Sequence, residues 1–520
     1  MVSIKSAFRV EAWRKRFSDS TLTKKASLNA VAATLDYGAR AVIGFLIQPL
    51  MVAFLGAFGY GAWQVLDRTI GYLSPATGRP TQALKVIIAN RQNSTDYEEK
   101  RRYIGSAVAV WALSMPILLL LGGVLAWFIP GWLETPAEFV GAVRIAAAIL
   151  LLELALISLT GLPKSVLEGE NLGYKRMGLS TLLVVLGGAL TLAALYFNTG
   201  IIGLATATLI VTITTGFIFL WVARKQLPWF GVAKPDFSLV WQFFGRSWWF
   251  QLWNLVMRAM RTGDVILLGF VGSAQLVTVL SFTRYAPETF VDFIVMIVFG
   301  ITPGLGGMLG AGNMKAAAKV RSEIMAMTWL LSTVIGTTVL FLNKPFVGLW
   351  AGEEYYAGSL VNFLLMLMIL QFAIIRNDAN LIDLTLDMRN KVLIGVGSTV
   401  VSVALGALLI SYFTDGIVGL CIGVMVGRLI LSIEYPRLVG KSLQVPFAEQ
   451  MHSAIRPTIT TLLLFGGALL LEPYLLVTSW LTLVVWGGVI TLPVLIIAFF
   501  IGLSSNMRAQ LWRRLQFALQ

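Results

Sequence analysis

Apolar stretches of about 20 residues, the length that crosses a bilayer as a helix, recur along the whole chain and alternate with short polar segments. The pattern predicts fourteen spans. They cover residues 27–54, 58–77, 103–129, 140–163, 178–197, 200–222, 247–270, 274–302, 323–343, 357–376, 392–413, 416–436, 454–472 and 475–502. We therefore predict an all-α polytopic membrane protein with both termini on the same side.

The composition supports this class, because 57% of the 520 residues are hydrophobic and 13% are charged, whereas a soluble domain carries about 25% charged residues. Cys421 and His452 are the only residues of their types. They argue against a disulfide framework and against a metal site of several cysteines or histidines, and we expect no cofactor. We attribute the net charge of +14 to loops beside anionic lipid headgroups rather than to nucleic-acid binding.

The basic residues are distributed unequally between the two sides of the predicted spans. Of the 40 Lys and Arg residues, we assign 31 to the termini and the loops of one side, 8 to spans or their edges, and only Lys344 to the opposite loops. Since basic loops stay in the cytoplasm, both termini are predicted there, in a cell (inner) membrane. The opposite loops are too short to hold a catalytic site, so we do not expect an enzyme.

An internal repeat relates the two halves of the chain at an offset of 216 residues. GIIGL at Gly200–Leu204 matches GIVGL at Gly416–Leu420, and Arg68 matches Arg284. Because six spans per repeat keep both halves in one orientation, we predict two parallel six-helix lobes related by pseudo-two-fold symmetry.

The predicted organisation therefore has six parts. An amphipathic segment of basic and aromatic residues at the membrane surface covers residues 1–26, and a similar tail covers 503–520. The N-lobe covers 27–224, a cytoplasmic linker 225–246 and the C-lobe 247–440. Two further spans lie within 441–502.

Several arginines lie inside the apolar spans, where a charge costs at least a few kcal/mol unless it faces protein, water or an anionic ligand. Because the planar guanidinium matches phosphate oxygens bidentately, we interpret them as a clamp for a diphosphate. The predicted substrate-binding residues are Arg40, Arg68, Arg258, Arg261 and Arg284.

Acidic residues accompany these arginines, and we assign them to ion coupling or charge pairing. They are Asp36, Asp67, Glu153, Asp264, Glu288 and Asp292. Under the alternative interpretation, the pairs Asp36–Arg40, Arg261–Asp264 and Arg284–Glu288 neutralise each other and serve only helix packing. Glu153 either joins two helices by a hydrogen bond or carries a coupling proton. Arg428 and Glu434 are interpreted as a packing pair or as residues near the cytoplasmic end of their span.

The segment KKASLNAVAATLDYGARAVIGFLIQPLMVAFLGAFGYGAWQVL (Lys24–Leu66), the six-plus-six repeat and the two additional C-terminal spans resemble the O-antigen (Wzx-type) polysaccharide flippases. These belong to the multidrug/oligosaccharidyl-lipid/polysaccharide exporter superfamily. The resemblance implies alternating access that moves a polyprenyl-diphosphate-linked oligosaccharide from the cytoplasmic to the outer leaflet. It implies membrane lipids, a glycan polymerase and chain-length machinery as partners of a monomeric protein, for polysaccharide export or surface glycan synthesis.

The sequence is also compatible with other functions. A lipid II flippase for peptidoglycan has the same expected fold and a different headgroup, and a cation-coupled multidrug antiporter belongs to the same superfamily. A membrane-embedded glycosyltransferase or ligase needs acids or histidines in a sizeable loop, which this chain lacks. A non-transporting scaffold leaves the charges inside the spans unexplained.

Overall fold

The computed structural model describes residues 22–78, 80–92, 94–170, 172, 178–245, 248–310, 312–385, 388–509 and 512. Residues 1–21 of the predicted N-terminal amphipathic segment lie outside these ranges. The last eight residues of the predicted tail, 513–520, also lie outside them. Within them, the chain forms sixteen α-helices. In chain order they are α1 Leu22–Gly71, α2 Pro80–Asn90, α3 Tyr97–Trp132, α4 Ala137–Thr160, α5 Leu162–Gly169, α6 Leu179–Tyr196, α7 Gly200–Gln226, α8 Phe237–Gly245, α9 Trp248–Leu267, α10 Ala274–Gly310, α11 Met314–Trp350, α12 Ser359–Thr385, α13 Met388–Tyr412, α14 Gly416–Leu443, α15 Phe447–Leu471 and α16 Trp480–Ile497.

These helices confirm the predicted fold class. Helix α1 is interrupted at Gly56, whose φ of 70° suits a residue without a Cβ, so α1 supplies the first two predicted spans. Twelve more long helices follow, and each covers one of the remaining predicted spans. The short helices α2, α5 and α8 lie in the segments predicted as cytoplasmic loops.

Eleven helices of the described chain are long and apolar enough to span a membrane. Helix α1 counts once despite its break, and α9 and α10 are not among the eleven. Helix α9 carries three charged residues, Arg258, Arg261 and Asp264, which lower its apolar character.

The described chain divides into two compact units. The N-terminal unit runs to Gly59 and resumes from Leu66 to Trp248. Its core packs α2 and α5 against α3 and α7, through Leu84, Ile104, Val166 and Phe219. On α2, the buried residues Pro80, Leu84 and Ile88 recur every four positions and share one face of the helix.

The C-terminal unit consists of Tyr60–Val65 and the chain from Trp249 onward. Helices α13 and α14 approach closely through small residues, as membrane helices commonly do. A Cβ at Gly423 would fall 2.6 Å from the backbone nitrogen of Gly406, and one at Gly427 would fall 2.5 Å from the backbone of Ser402.

Lys100 and Lys391 are among the basic residues that the sequence pattern predicts in loops, but both lie in helices and are buried. Lys100 of α3 lies 2.8 Å from the carboxylate of Glu170 and over the ring of Trp229, at 5.1 Å from its centroid. Lys391 of α13 lies 2.5 Å from Asp383 and 3.7 Å from the ring centroid of Trp253. A carboxylate and an aromatic face together offset the cost of burying each ammonium group.

Candidate functional site

A group of closely spaced charges lies in the C-terminal unit, around Arg284 of α10. This side chain is 4% exposed. Its Nε donates to Glu288 at 2.6 Å, its Nη1 donates to Asp264 at 2.6 Å, and its Nη2 donates to the backbone carbonyl of Arg261 at 2.7 Å. All three nitrogens of the guanidinium therefore have protein partners.

Local geometry explains this arrangement. Arg284 and Glu288 are four residues apart on α10 and share a face of the helix. Asp264 is buried near the end of α9, and its second oxygen accepts a hydrogen bond from the backbone N–H of Val265 at 2.9 Å. A turn of π-helix at Leu268–Gly272 follows α9 before α10 begins, and such turns often accompany functional sites.

A second buried arginine, Arg428 of α14, joins this group at 4% exposure. It donates a hydrogen bond to the carbonyl of Met260 and lies 5.9 Å from the ring centroid of Phe372. A cavity of about 30 Å³ is lined by Arg261, Arg284, Glu288 and Arg428. That volume holds about one water molecule, so the side chains of the cluster are closely packed.

The cluster carries a net positive charge. Three arginines line the small cavity, at positions 261, 284 and 428, and the two carboxylates of Asp264 and Glu288 face Arg284. The side chain of Arg261 is exposed, and its backbone carbonyl accepts a hydrogen bond from Arg284. The buried ion pairs therefore position the helix turn that presents Arg261, and half-buried Arg258 lies one turn earlier on α9.

The partners of these groups differ in part from those that the sequence suggested. The pair Arg284–Glu288 is present, as the alternative interpretation proposed, and Asp264 also binds Arg284. Glu434 is paired with Arg437 rather than with Arg428. Arg428 was not among the predicted site residues. Arg428 has apolar residues one turn away on each side, Val424 and Leu431. This pattern indicates that its side chain lies on a buried face of the helix.

Two of the predicted acidic residues of the N-terminal unit contact hydroxyl groups. Glu153 of α4 accepts a hydrogen bond from Thr212 of α7 at 2.7 Å, as the prediction of a bond between helices anticipated. Asp36 of α1 accepts one from Thr181 of α6 at 2.9 Å.

The other predicted site residues of this unit are more open to their surroundings. Arg40 and Asp67 are exposed, and Arg68 is half-buried. The side chain of Asp292, in α10 of the C-terminal unit, lies outside the described residues. In the part of the chain that the structure describes, no group of three or more His, Cys, Asp or Glu could hold a metal ion.

Comparison with solved structures identifies the fold. The chain superposes on the lipid II flippase MurJ in an inward closed conformation with a TM-score of 0.67, covering 90% of this chain and 99% of that one at 12% identity. An inward-facing MATE family multidrug transporter gives a TM-score of 0.58, with 79% and 98% covered at 15% identity. The fold is that of the MOP superfamily transporters.

A third similar structure is a MOP superfamily transporter from Pyrococcus furiosus described as having a binding pocket of reverse polarity. It gives a TM-score of 0.57 at 16% identity and covers 81% of this chain and 96% of that one. No family model and no curated protein matches the sequence. At these identities the similarity establishes the fold, and the function has to be argued from the residues of this chain.

Proposed function

We propose that this protein is a flippase that moves a polyprenyl-diphosphate-linked oligosaccharide from the cytoplasmic to the outer leaflet by alternating access, for polysaccharide export or surface glycan synthesis. The observation that carries the proposal is the net-positive arginine cluster on α9, α10 and α14. A charge at membrane depth is costly and is retained where it serves a substrate or a partner. A diphosphate is the anionic group that such a lipid-linked substrate presents.

The geometry supports different roles for the arginines. Arg261 and Arg258 are proposed to contact the diphosphate, because a guanidinium binds phosphate oxygens through two parallel hydrogen bonds. Arg284 is proposed as a positioning residue, since its nitrogens already bind Asp264, Glu288 and the backbone of Arg261. In the N-terminal unit, Arg40 and Arg68 are proposed as further diphosphate-binding residues.

The experiment is reconstitution of the purified protein in liposomes that contain a fluorescent undecaprenyl-diphosphate oligosaccharide, with flipping followed by quenching from the outside. Arg261→Ala is expected to slow flipping about tenfold or more, because one charge-assisted contact is lost. Arg389→Ala removes an exposed arginine of α13 outside the cluster and is the matched control. Wild-type rates for both Arg261→Ala and Arg258→Ala would contradict the proposal.

A second candidate is lipid II flipping, favoured by the superposition on MurJ over nearly that whole chain. Both substrates present a polyprenyl diphosphate, so the arginines serve either one. The discriminating measurement is competition: unlabelled lipid II and unlabelled oligosaccharide lipid are each added to the same liposomes. The proposal expects the oligosaccharide lipid to compete more strongly. Inhibition by drug-like cations alone would instead indicate the antiporter alternative.

A further inference from the structure

The N-terminal unit contains a cavity of about 500 Å³ that the arginine cluster does not include. Helices α2, α4, α5 and α7 contribute its walls. Close packing of α5 on α2 shapes one side, since a Cβ at Gly169 would fall 2.9 Å from the carbonyl oxygen of Lys85. The volume lies within the range of about 300–1,000 Å³ that is typical of small-molecule sites.

The lining is mostly polar, and six of its residues belong to the short helices α2 and α5. Nine of its eleven residues have polar side chains, and four of these are threonines. Ligand pockets are lined mostly by apolar residues with a few polar groups, so this lining is suited to a ligand that is polar over most of its surface.

Two lysines and one glutamate line the cavity, and the carboxylate of Glu153 lies behind the lining Thr212. Lys85 and Glu168 form an ion pair of 2.9 Å, with the lysine side chain 47% exposed. Lys164 lies four residues before Glu168 on α5 and therefore on the same face. With two cations and one anion, the lining is net positive and suits an anionic group, and the exposed ammonium of Lys85 can turn from the carboxylate to a ligand.

The hydroxyl groups provide the complementary chemistry. Thr160 donates its proton to the carbonyl of Leu156 at 3.0 Å, Ser165 donates to Gly161 at 3.0 Å, and Thr212 donates to Glu153 at 2.7 Å. Since each hydroxyl proton is committed, the oxygens retain lone pairs that accept hydrogen bonds. Acceptors of this kind match the hydroxyl donors of a sugar ring.

We infer that this cavity binds a sugar phosphate, with Lys85 and Lys164 at the phosphate and the threonine and serine oxygens at the ring hydroxyls. The inference rests on the proposed function only for the source of the ligand, which is the first phosphorylated sugar of the lipid-linked substrate. The chemistry of the site is independent of transport. A free sugar phosphate presents the same groups as the lipid headgroup.

The test is equilibrium binding of radiolabelled glucose 1-phosphate to the purified full chain in nanodiscs. Each of Lys85→Gln and Lys164→Gln is expected to weaken binding about tenfold or more, as expected for one charge-assisted hydrogen bond. Lys225→Gln alters an exposed lysine of α7 outside the cavity and should leave binding unchanged. Equal binding by all four proteins, or none by the wild type, would overturn the inference.

A labelling experiment reports on the cavity without removing a lysine. Cys421, the one cysteine of the sequence, is buried, so a maleimide reports mainly on an introduced thiol. Thr81→Cys lines the cavity and should be protected by glucose 1-phosphate, whereas exposed His452→Cys should not. Equal protection by inorganic phosphate would reduce the site to an anion site and overturn the sugar assignment.

The same labelling separates the sources of the ligand and the two proposals. Protection by undecaprenyl-diphosphate sugar, but not by undecaprenyl phosphate, indicates the lipid headgroup, whereas protection by glucose 1-phosphate alone indicates a free sugar phosphate. If glucose 1-phosphate binds while the liposomes show no flipping, the proposed function fails and the cavity assignment stands. The converse result has two parts: Arg261→Ala slows flipping, and no sugar phosphate protects the Thr81→Cys thiol. In that case the proposed function stands and the cavity assignment fails.

Discussion

Two predicted acidic residues of each unit have different kinds of partner. In the C-terminal unit, Asp264 and Glu288 face the guanidinium of Arg284 at 2.5–2.6 Å. In the N-terminal unit, Asp36 and Glu153 face the hydroxyls of Thr181 and Thr212 at 2.7–2.9 Å. The two halves of the repeat therefore share an order of long helices but differ in the side-chain contacts between those helices.

This difference is accompanied by a difference in internal space. The cavities beside Arg428 have volumes of about 20 and 30 Å³, whereas the cavity of the N-terminal unit has about 500 Å³. Around Arg284 and Arg428, each buried charge requires several close partners once it has left water, and the helices pack closely there. In the larger cavity, the lysine of the Lys85–Glu168 pair is 47% exposed, and Thr160 donates its hydroxyl proton within its own helix.

The largest expected effect is on the buried ion pairs. Arg284→Ala leaves two carboxylates without their partner and should lower the free energy of unfolding by about 3–5 kcal/mol. Thermal unfolding in detergent measures it, with Arg389→Ala as the control at an exposed site of the same unit. A melting temperature equal to that of the wild type would show that the cluster has no structural role.

The corresponding change in the N-terminal unit should be smaller. Thr212→Val removes the donor to Glu153 and should cost about 1.5–3 kcal/mol, the range for a hydrogen bond to a charged group. Glu153→Gln in the Thr212→Val background should recover part of the loss, since an amide is easier to bury than a carboxylate. A loss as large as that of Arg284→Ala would remove the distinction between the units.

The repeated GIxGL motif offers a matched pair of changes. A Cβ at Gly419 would fall 2.1 Å from the carbonyl oxygen of Leu409, which is backbone, whereas one at Gly203 would meet the side chain of Thr199 at 1.7 Å. Because a side chain can rotate and a packed helix cannot, Gly419→Ala should cost about 1–3 kcal/mol and Gly203→Ala less. Thermal unfolding of both variants tests the order, and the reverse order would contradict it.

The smallest effect on stability is expected at Arg261. Its side chain is exposed, so Arg261→Lys should change the free energy of unfolding by less than about 0.5 kcal/mol. Flipping should nevertheless slow, because an ammonium group binds phosphate as a point charge without the bidentate geometry. Parallel measurement of melting and flipping separates the two properties, and an unchanged flipping rate would indicate that charge alone suffices at this position.

Much of this molecule could be predicted from local patterns. The run lengths of apolar residues predicted fourteen long helices, and the structure has them. The four-residue spacing of Arg284 and Glu288 predicted their pair. The binding of Asp264 to Arg284 and the burial of Arg428 were not predicted, because these contacts join residues 20 and 168 positions apart.

The sequence by itself determined the helices, their amphipathic faces and the presence of charges that need partners, because these depend on spacings within one or two helical turns. Tertiary structure alone decided which charge meets which partner. It also decided that Lys100 and Lys391 are buried, and that four helices of the N-terminal unit line a polar cavity. The physical reason is that a buried charge can be satisfied by any suitably placed oxygen or ring, and only the packing of distant helices selects one.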